Sequence, residues 1–411
     1  MIVVICTGSM AHSARFYWRR LGESRRLVNC VSSGRFPFLP RTLEMKKLWE
    51  LPESLQRKLV EARLCKHGTL IGEMSSPHSS IYTFDLGANA SPRYVVAKGI
   101  QVEETMSDEE RRKYFARALY EVNNAYAVFH HPLVHRFFDV DIILGVPFLL
   151  SRKRDATLRD VIAEGPVLLP EALSIAVQMA HSLSYCAQKG IVCHQDLKPE
   201  NVFIDFINEH FSVPAEYPLA CRVHLADFEL ANAYLVLRHP YGSRPYMAPE
   251  QYCNLHANTL PDFSRADVFA VGVILFEMLT GGVHPIGERT SLIWPRPAEG
   301  QSRKWLREDP WKQWLKSGAQ TSTGDKSVDP ETLLIIQDCL EVDSAMRPSK
   351  QALEVRLLER LRTVHKDTYD TLVLTLEYFD NISNESEELG WPYYAERLES
   401  LNKAFSDRDP P

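Results

Sequence analysis

Long apolar runs, paired cysteines and an excess of basic charge are all missing from this 411-residue sequence. The longest apolar stretch, Val268–Phe276, is too short to span a bilayer and predicts a buried helix instead. Eight cysteines lie scattered from Cys6 to Cys339 with no Cys-x-x-Cys pair, so neither a zinc site nor a disulfide framework is expected. Reduced, mostly buried thiols fit that spacing. A net charge of -6 argues against the basic surfaces that nucleic acids or anionic membranes require. The apolar start, Met1–Cys6, has no basic leader and no small-residue cleavage site, so no signal peptide is expected and the cytoplasm is the expected compartment. Internal repeats and low-complexity tracts are absent too. With 45% hydrophobic and 24% charged residues, the composition is that of a well-packed protein long enough for one two-part domain with extensions.

Residues 1–65 read as an N-terminal extension, with one strand-like segment and a helix over Leu43–Leu64. Thr7-Gly8-Ser9 lacks the further glycines and the lysine of a phosphate loop and reads as a plain turn. Strands are expected at Gly68–Glu73, Ser80–Asp85 and Arg93–Ile100, then a helix over Ser107–Val128 and a strand at Ile142–Leu150. Beyond Thr157 the pattern is mainly helical. Pro170 suits the first turn of a helix through Ala187, and Gly190 follows its end. Strands first and helices later predict an α+β protein, with a small antiparallel sheet carrying one main helix and a larger helical part. Gly281–Val328 reads as a polar connection with short helices, in which Trp305, Trp311 and Trp314 are expected to be core. Helices are also expected around Tyr369–Phe379 and Tyr393–Phe405.

The strongest chemical signal is His194-Gln-Asp-Leu-Lys-Pro-Glu-Asn201. Phosphoryl transfer needs a carboxylate near the attacking hydroxyl, a cation near the migrating group and a metal ligand close by. Asp196, Lys198 and Asn201 offer these three types in one loop. Leu225-Ala-Asp-Phe-Glu229 follows a predicted strand, Cys221–Leu225, so that Asp227 can face a magnesium ion while Phe228 anchors it in the core. Upstream, Lys98 ends the apolar run Val95-Val-Ala, and Glu121 adjoins the apolar face of the next helix. A snorkelling lysine and a solvated glutamate are the plain alternatives for these two residues taken singly.

Taken in order, these segments resemble the protein-kinase superfamily, serine/threonine type. The resemblance covers residues 66–362, with a small lobe over 66–150 and a large lobe over 154–362, and leaves 363–411 as a C-terminal helical extension. Gly242-Ser-Arg-Pro-Tyr-Met-Ala-Pro-Glu250 resembles the end of an activation segment, and Asp267–Gly272 resembles the central helix of the large lobe. Arg347 stands where the family pairs an arginine with the glutamate that is Glu250 here. The resemblance implies a bilobal kinase fold, ATP and Mg²⁺ as ligands, and a protein substrate with a serine or threonine acceptor. It makes Asp196 the catalytic base and Lys198 the cation that neutralises the transferring group. Asn201 and Asp227 become the Mg²⁺ ligands. Lys98, Glu121, Gly72, Leu150, Ser151 and Lys153 become ATP-binding residues. Lys198 two residues after Asp196 is the serine/threonine pattern, and the Ser243 hydroxyl is expected to bond the Asp196–Lys198 pair. His194, Phe228, Ser243, Glu250, Asp267 and Arg347 are expected to organise the loop and activation segment.

Three departures from the pattern matter. The glycine-rich loop is reduced to Gly72, with Ser75, Ser76, Ser79 and Ser80 as hydroxyl donors and about two extra residues. Gln195 replaces the arginine that engages a phosphorylated activation loop, so activity independent of phosphorylation at Tyr234, Tyr241 or Ser243 is expected. Glu229 replaces a glycine, and its Cβ resists a positive φ while its carboxylate could repel phosphate or assist a metal. A kinase-fold scaffold without turnover is the first alternative and a small-molecule phosphotransferase the second. The latter class usually lacks the Lys198 and Ala-Pro-Glu features present here. The enlarged turn Asp205–Ala220 is expected to be neutral for catalysis. The C-terminal helices are expected to pack on the large lobe, with a surface for a regulatory partner as the other reading.

Overall fold

The computed structural model describes residues 47–75, 79–100, 102, 105–214, 216–237, 242–252, 262–295, 309–321 and 328–389. Expectations for Met1–Cys6, Thr7–Ser9, Ser76, Tyr241, Trp305 and Tyr393–Phe405 fall outside these residues. The described chain separates into two compact units, one holding the residues up to Thr105 with Asp141–Leu150, the other holding the rest.

In the first unit, helix α1 spans Glu53–Leu64 and is preceded by a 3-10 turn at Leu48–Glu50. The expected single helix from Leu43 is therefore shorter. Pro52 forces Leu51 out of helical geometry, to φ -102 and ψ 149, and so sets the boundary. Strands β1 (Thr69–Ser75), β2 (Ser79–Asp85), β3 (Tyr94–Ile100), β4 (Phe137–Ile143) and β5 (Val146–Arg152) form a sheet in the order β1-β2-β3-β5-β4. The antiparallel register sets Phe84 opposite Val95 and Tyr82 opposite Ala97, four buried side chains on one face. Lys98 takes the alternate face, as a period of two requires. The stretch expected as one strand from Ile142 is instead a hairpin, because Leu144 and Gly145 both adopt positive φ, at 44° and 91°. That pair of conformations makes the tight turn whose twist suits antiparallel strands, and a leucine there gives no sequence signal. Buried Asp141 on β4 receives Lys66 Nζ at 2.7 Å and Arg63 Nη2 at 3.3 Å, which ties the end of α1 to the sheet.

In the second unit, α2 spans Asp108–Val128. Its start is fixed by a reciprocal cap: Ser107 Oγ accepts from Glu110 N at 3.2 Å, and Ser107 N donates to Glu110 Oε2 at 2.8 Å. Then follow α3 (Leu158–Glu164), α4 (Leu169–Gln188), α5 (Ala266–Thr280), α6 (Pro310–Lys316), α7 (Pro330–Cys339), α8 (Lys350–Val364) and α9 (Lys366–Leu389). Short strands β6 (Ala156–Thr157), β7 (Val202–Phe206) and β8 (Cys221–Leu225) form a second antiparallel sheet. Helix α5 is buried all round, as a uniformly apolar helix must be, and Gly281 ends it with φ 65. It packs on α4 and α7, and α4 packs in turn on α8. Trp311 and Trp314 are core, clustered with Phe269 and His284.

Helix α9 docks through Leu372, Leu376 and Phe379. His181 of α4 lies between Glu354 of α8 at 2.8 Å and Asp380 of α9 at 3.1 Å. Burial alone would lower the His181 imidazole, but the two carboxylates push it up to about 9. The imidazolium thus bridges three helices at neutral pH.

Candidate active site

Between α4 and β7 the chain makes a buried loop, and its backbone is held by one carboxylate. Asp267, at the start of α5 and 2% exposed, accepts from His194 N at 2.8 Å and Gln195 N at 3.1 Å. Burial raises the Asp267 carboxyl, yet Lys350, His194 and these backbone donors hold it below the usual carboxylate range. Lys350 Nζ lies 3.2 Å from Asp267 and also reaches the Val192 carbonyl. Asn232 clamps the loop from the far side, accepting from Cys193 N at 3.1 Å and donating to Gly190 O at 2.7 Å. The His194 ring, tilted against Phe228 with centroids 4.9 Å apart, bonds the Ala226 carbonyl through Nε2 at 3.0 Å.

This scaffold presents Asp196 with both carboxylate oxygens engaged. Lys198 Nζ donates to Oδ2 at 2.6 Å, and Ser243 N donates to Oδ1 at 2.6 Å. Asn201 Nδ2 donates to the Asp196 carbonyl at 2.9 Å and lies 3.4 Å from Oδ2. Burial lowers the Lys198 ammonium, but Asp196, Asp227 and Glu200 outweigh that and leave it raised, so it stays a cation. The carboxylate, the ammonium and the amide expected from sequence are therefore one constellation. The Ser243 contact differs from the expectation, since the backbone N–H rather than the hydroxyl reaches Asp196. Gly242 makes it possible: its φ is 132, and a Cβ there would stand 2.6 Å from the Gln195 carbonyl.

Asp227 follows β8 with φ 65, a left-handed conformation that costs a non-glycine residue about 1 kcal/mol or more. Phe228, 1% exposed, opens the 3-10 turn Phe228–Leu230, against which α2 packs; Asn124 Nδ2 donates to the Phe228 carbonyl at 3.0 Å. The positive φ expected to trouble Glu229 falls two residues earlier, at Asp227, and Glu229 sits within the 3-10 turn. Glu121 of α2, Asp227 and Glu229 each bring an oxygen to within 4.8 Å of the others. Arg117 Nε lies 3.7 Å from Glu229. Hard carboxylate and amide oxygens are the donors a magnesium ion selects, so Asp227 and Asn201 fit it chemically.

The activation-segment residues meet as well. Arg347, 1% exposed, grips Glu250 in a two-pronged ion pair at 2.6 and 2.7 Å and also donates to the Glu341 carbonyl at 2.7 Å. Gln195, with φ 69, accepts from Tyr234 N through Oε1 at 2.9 Å, and its carbonyl accepts from Gln251 Nε2 at 3.2 Å. Lys350, Asn232 and Gln251 were not marked by sequence reasoning. Each acts on a partner dozens of residues away and belongs to no local pattern.

The remaining expected residues lie on the five-stranded sheet or just beyond the end of β5. Gly72 is on β1 beside a register shift, and a Cβ there would meet only ordinary contact with Thr83 at 3.7 Å. Lys98 is half-buried on β3, and Leu150 is fully buried on β5. Ser151 is buried and Lys153 exposed, both in the second unit.

A family model described as a protein kinase domain matches residues 86–357. The chain is 28% identical over 209 residues to serine/threonine-protein kinase PknB of Mycobacterium leprae, covering 48% of this chain and 29% of that protein. It is 32% identical over 165 residues to serine/threonine-protein kinase PrkC of Bacillus subtilis, covering 38% and 22%. A third relative, CBL-interacting protein kinase 21 of Oryza sativa, is 29% identical over 198 residues, covering 46% and 33%. The matches thus span a third or less of each relative's own length. Among the described residues no helix is long and apolar enough to cross a membrane.

Proposed function

Because this chain belongs to the protein kinase family, we propose that it transfers the γ-phosphoryl group of ATP to a serine or threonine hydroxyl of a protein substrate. The observation that carries this reading is the Asp196 carboxylate, fixed by Lys198, the Ser243 N–H and Asn201. A carboxylate so held can accept the proton of an attacking hydroxyl, and the Lys198 ammonium beside it can offset charge on the transferring group. Asn201 and Asp227 would hold Mg²⁺, which supplies charge neutralisation for the phosphates. Lys98 and Glu121 are assigned to the phosphate end of ATP, Leu150, Ser151 and Lys153 to the adenine end, and Gly72 to the reduced phosphate-facing turn. The kinase domain is assigned to residues 66–362, with 1–65 and 363–411 as flanking extensions. A regulatory partner would sit on α9 at Leu374 and Tyr378, one turn apart and 66% and 57% exposed. Buried thiols at Cys186, Cys193, Cys221 and Cys339 suit a reducing, cytoplasmic setting.

The competing reading is a kinase-fold scaffold, favoured by the third carboxylate, Glu229, beside Asp227. Transfer from radiolabelled ATP and Mg²⁺ separates the two. Wild type is expected to label a protein acceptor at least about tenfold faster than Lys98→Met, a loss in keeping with a removed phosphate contact. Equal background in both would support the scaffold.

Regulation follows from Gln195. Its amide satisfies the Tyr234 backbone N–H and its carbonyl is bonded by Gln251, so neutral groups hold the activation segment where other members of the family use arginine and phosphate. Enzyme treated with a broad protein phosphatase is expected to keep its transfer rate within about twofold, since no charge-assisted bond is lost. A drop of an order of magnitude would contradict this.

A further inference from the structure

The segment that holds Asp196 is itself held from a distant part of the chain. Ser243, whose N–H donates to Asp196 Oδ1, leads directly into the 3-10 turn Arg244–Tyr246. Side chains from the stretch between α5 and α7, whose sequence reads as a polar connection, fasten that turn. The Arg244 guanidinium, on a side chain 8% exposed, forms an ion pair with Asp309 Oδ2. The Arg244 carbonyl accepts from Trp311 Nε1 at 3.0 Å. The Pro245 carbonyl accepts from His284 Nε2 at 3.0 Å, and Ile286 N donates to the other ring nitrogen at 3.3 Å, which fixes the tautomer.

Asp309 couples these contacts. Its Oδ1 accepts from Trp311 N at 3.1 Å and so caps α6, while its Oδ2 takes Arg244. One carboxylate therefore fixes both the start of α6 and the side chain next to Ser243. Trp311 is fully buried against Phe269, His284 and Trp314, so α6 cannot shift without disturbing the core. The guanidinium carbon of Arg244 lies 3.5 Å from the centre of the Tyr252 ring, which limits its movement further. A buried pair of this kind gains little stability over apolar packing, because desolvation offsets the Coulombic attraction. What it sets is place and direction. A turn freed of Asp309 would carry the Ser243 N–H off the Asp196 carboxylate.

We infer that Asp309 is a positioning residue for Asp196, acting through Arg244 to keep the Ser243 N–H on that carboxylate. The inference rests on the phosphotransfer reading given above.

The test measures kcat and the KM for ATP with one serine peptide, at a temperature where circular dichroism shows each protein folded. Asp309→Asn keeps an oxygen to cap α6 but loses the charge that orders Arg244. It is expected to lower kcat by about tenfold, within the roughly 10²-fold that an ångström of misplacement can cost. The KM for ATP should stay within about twofold, since Asp309 is not among the residues assigned to ATP. Arg244→Met combined with Asp309→Asn separates position from folding. It removes the buried unpaired charge, so Tm should rise above that of Asp309→Asn while kcat stays low. Recovery of kcat along with Tm would overturn the inference, because the pair would then serve folding alone. So would a kcat within about twofold of wild type in folded Asp309→Asn, or in the double variant where the single one does not fold. Absence of transfer by wild type would instead bring down the phosphotransfer reading, and the inference with it.

Discussion

Replacing Asp196 with asparagine is expected to lower phosphoryl transfer by about 10²–10⁴-fold, the range for removing a positioned general base. The substitution preserves the shape of the side chain. Asn201 can still donate to the residue-196 carbonyl, and the Ser243 N–H can still donate to an amide oxygen at the Oδ1 position. What disappears is the negative charge beside Lys198 and the capacity to take a proton. Nucleotide binding should therefore persist, because Asp196 is not among the residues assigned to ATP. Transfer rate and nucleotide affinity measured on the same preparation check this. Equal transfer by wild type and Asp196→Asn would remove Asp196 from the chemistry.

The second large effect concerns stability. Arg347→Ala would leave Glu250, its side chain only 9% exposed, without the two bonds at 2.6 and 2.7 Å that now neutralise it, and would also empty the space the guanidinium fills over Phe269. Breaking one side of such a buried pair costs about 3–5 kcal/mol. For a unit of this size that corresponds to a fall in Tm of about 10 °C. Glu250→Gln, which keeps a hydrogen-bonding group of the same shape, should cost less. Thermal unfolding of the three proteins, followed by circular dichroism, checks the order. A Tm for Arg347→Ala within a degree or two of wild type would show that Glu250 finds another partner.

Much of this site was legible because its groups are close in sequence. Asp196, Lys198 and Asn201 share a loop, and the loop's short span alone confines them to a small volume. The strands were legible for a similar reason, since Val95, Ala97 and Phe84 follow the two-residue alternation that one buried face imposes. Long-range partners were not. Lys350 reaches Asp267 and Val192 from a helix whose own sequence reads as an ordinary amphipathic surface, and Arg159 meets Glu277 across 118 positions. Backbone conformation was hidden as well. Nothing marks Leu144 for a positive φ, so the β4–β5 turn read as continuous strand. At Ser243 the sequence drew attention to a hydroxyl, while the contact is made by an N–H that every residue type but proline possesses.

The central claim, that Asp196 and its neighbours direct the γ-phosphoryl group to an aliphatic hydroxyl, is tested most directly by phosphoamino-acid analysis. A protein acceptor is labelled by the full chain with radiolabelled ATP and Mg²⁺, hydrolysed, and its phosphoamino acids resolved. Phosphoserine or phosphothreonine well above the Asp196→Asn background is the predicted result. Label on tyrosine, or none above that background, would contradict it.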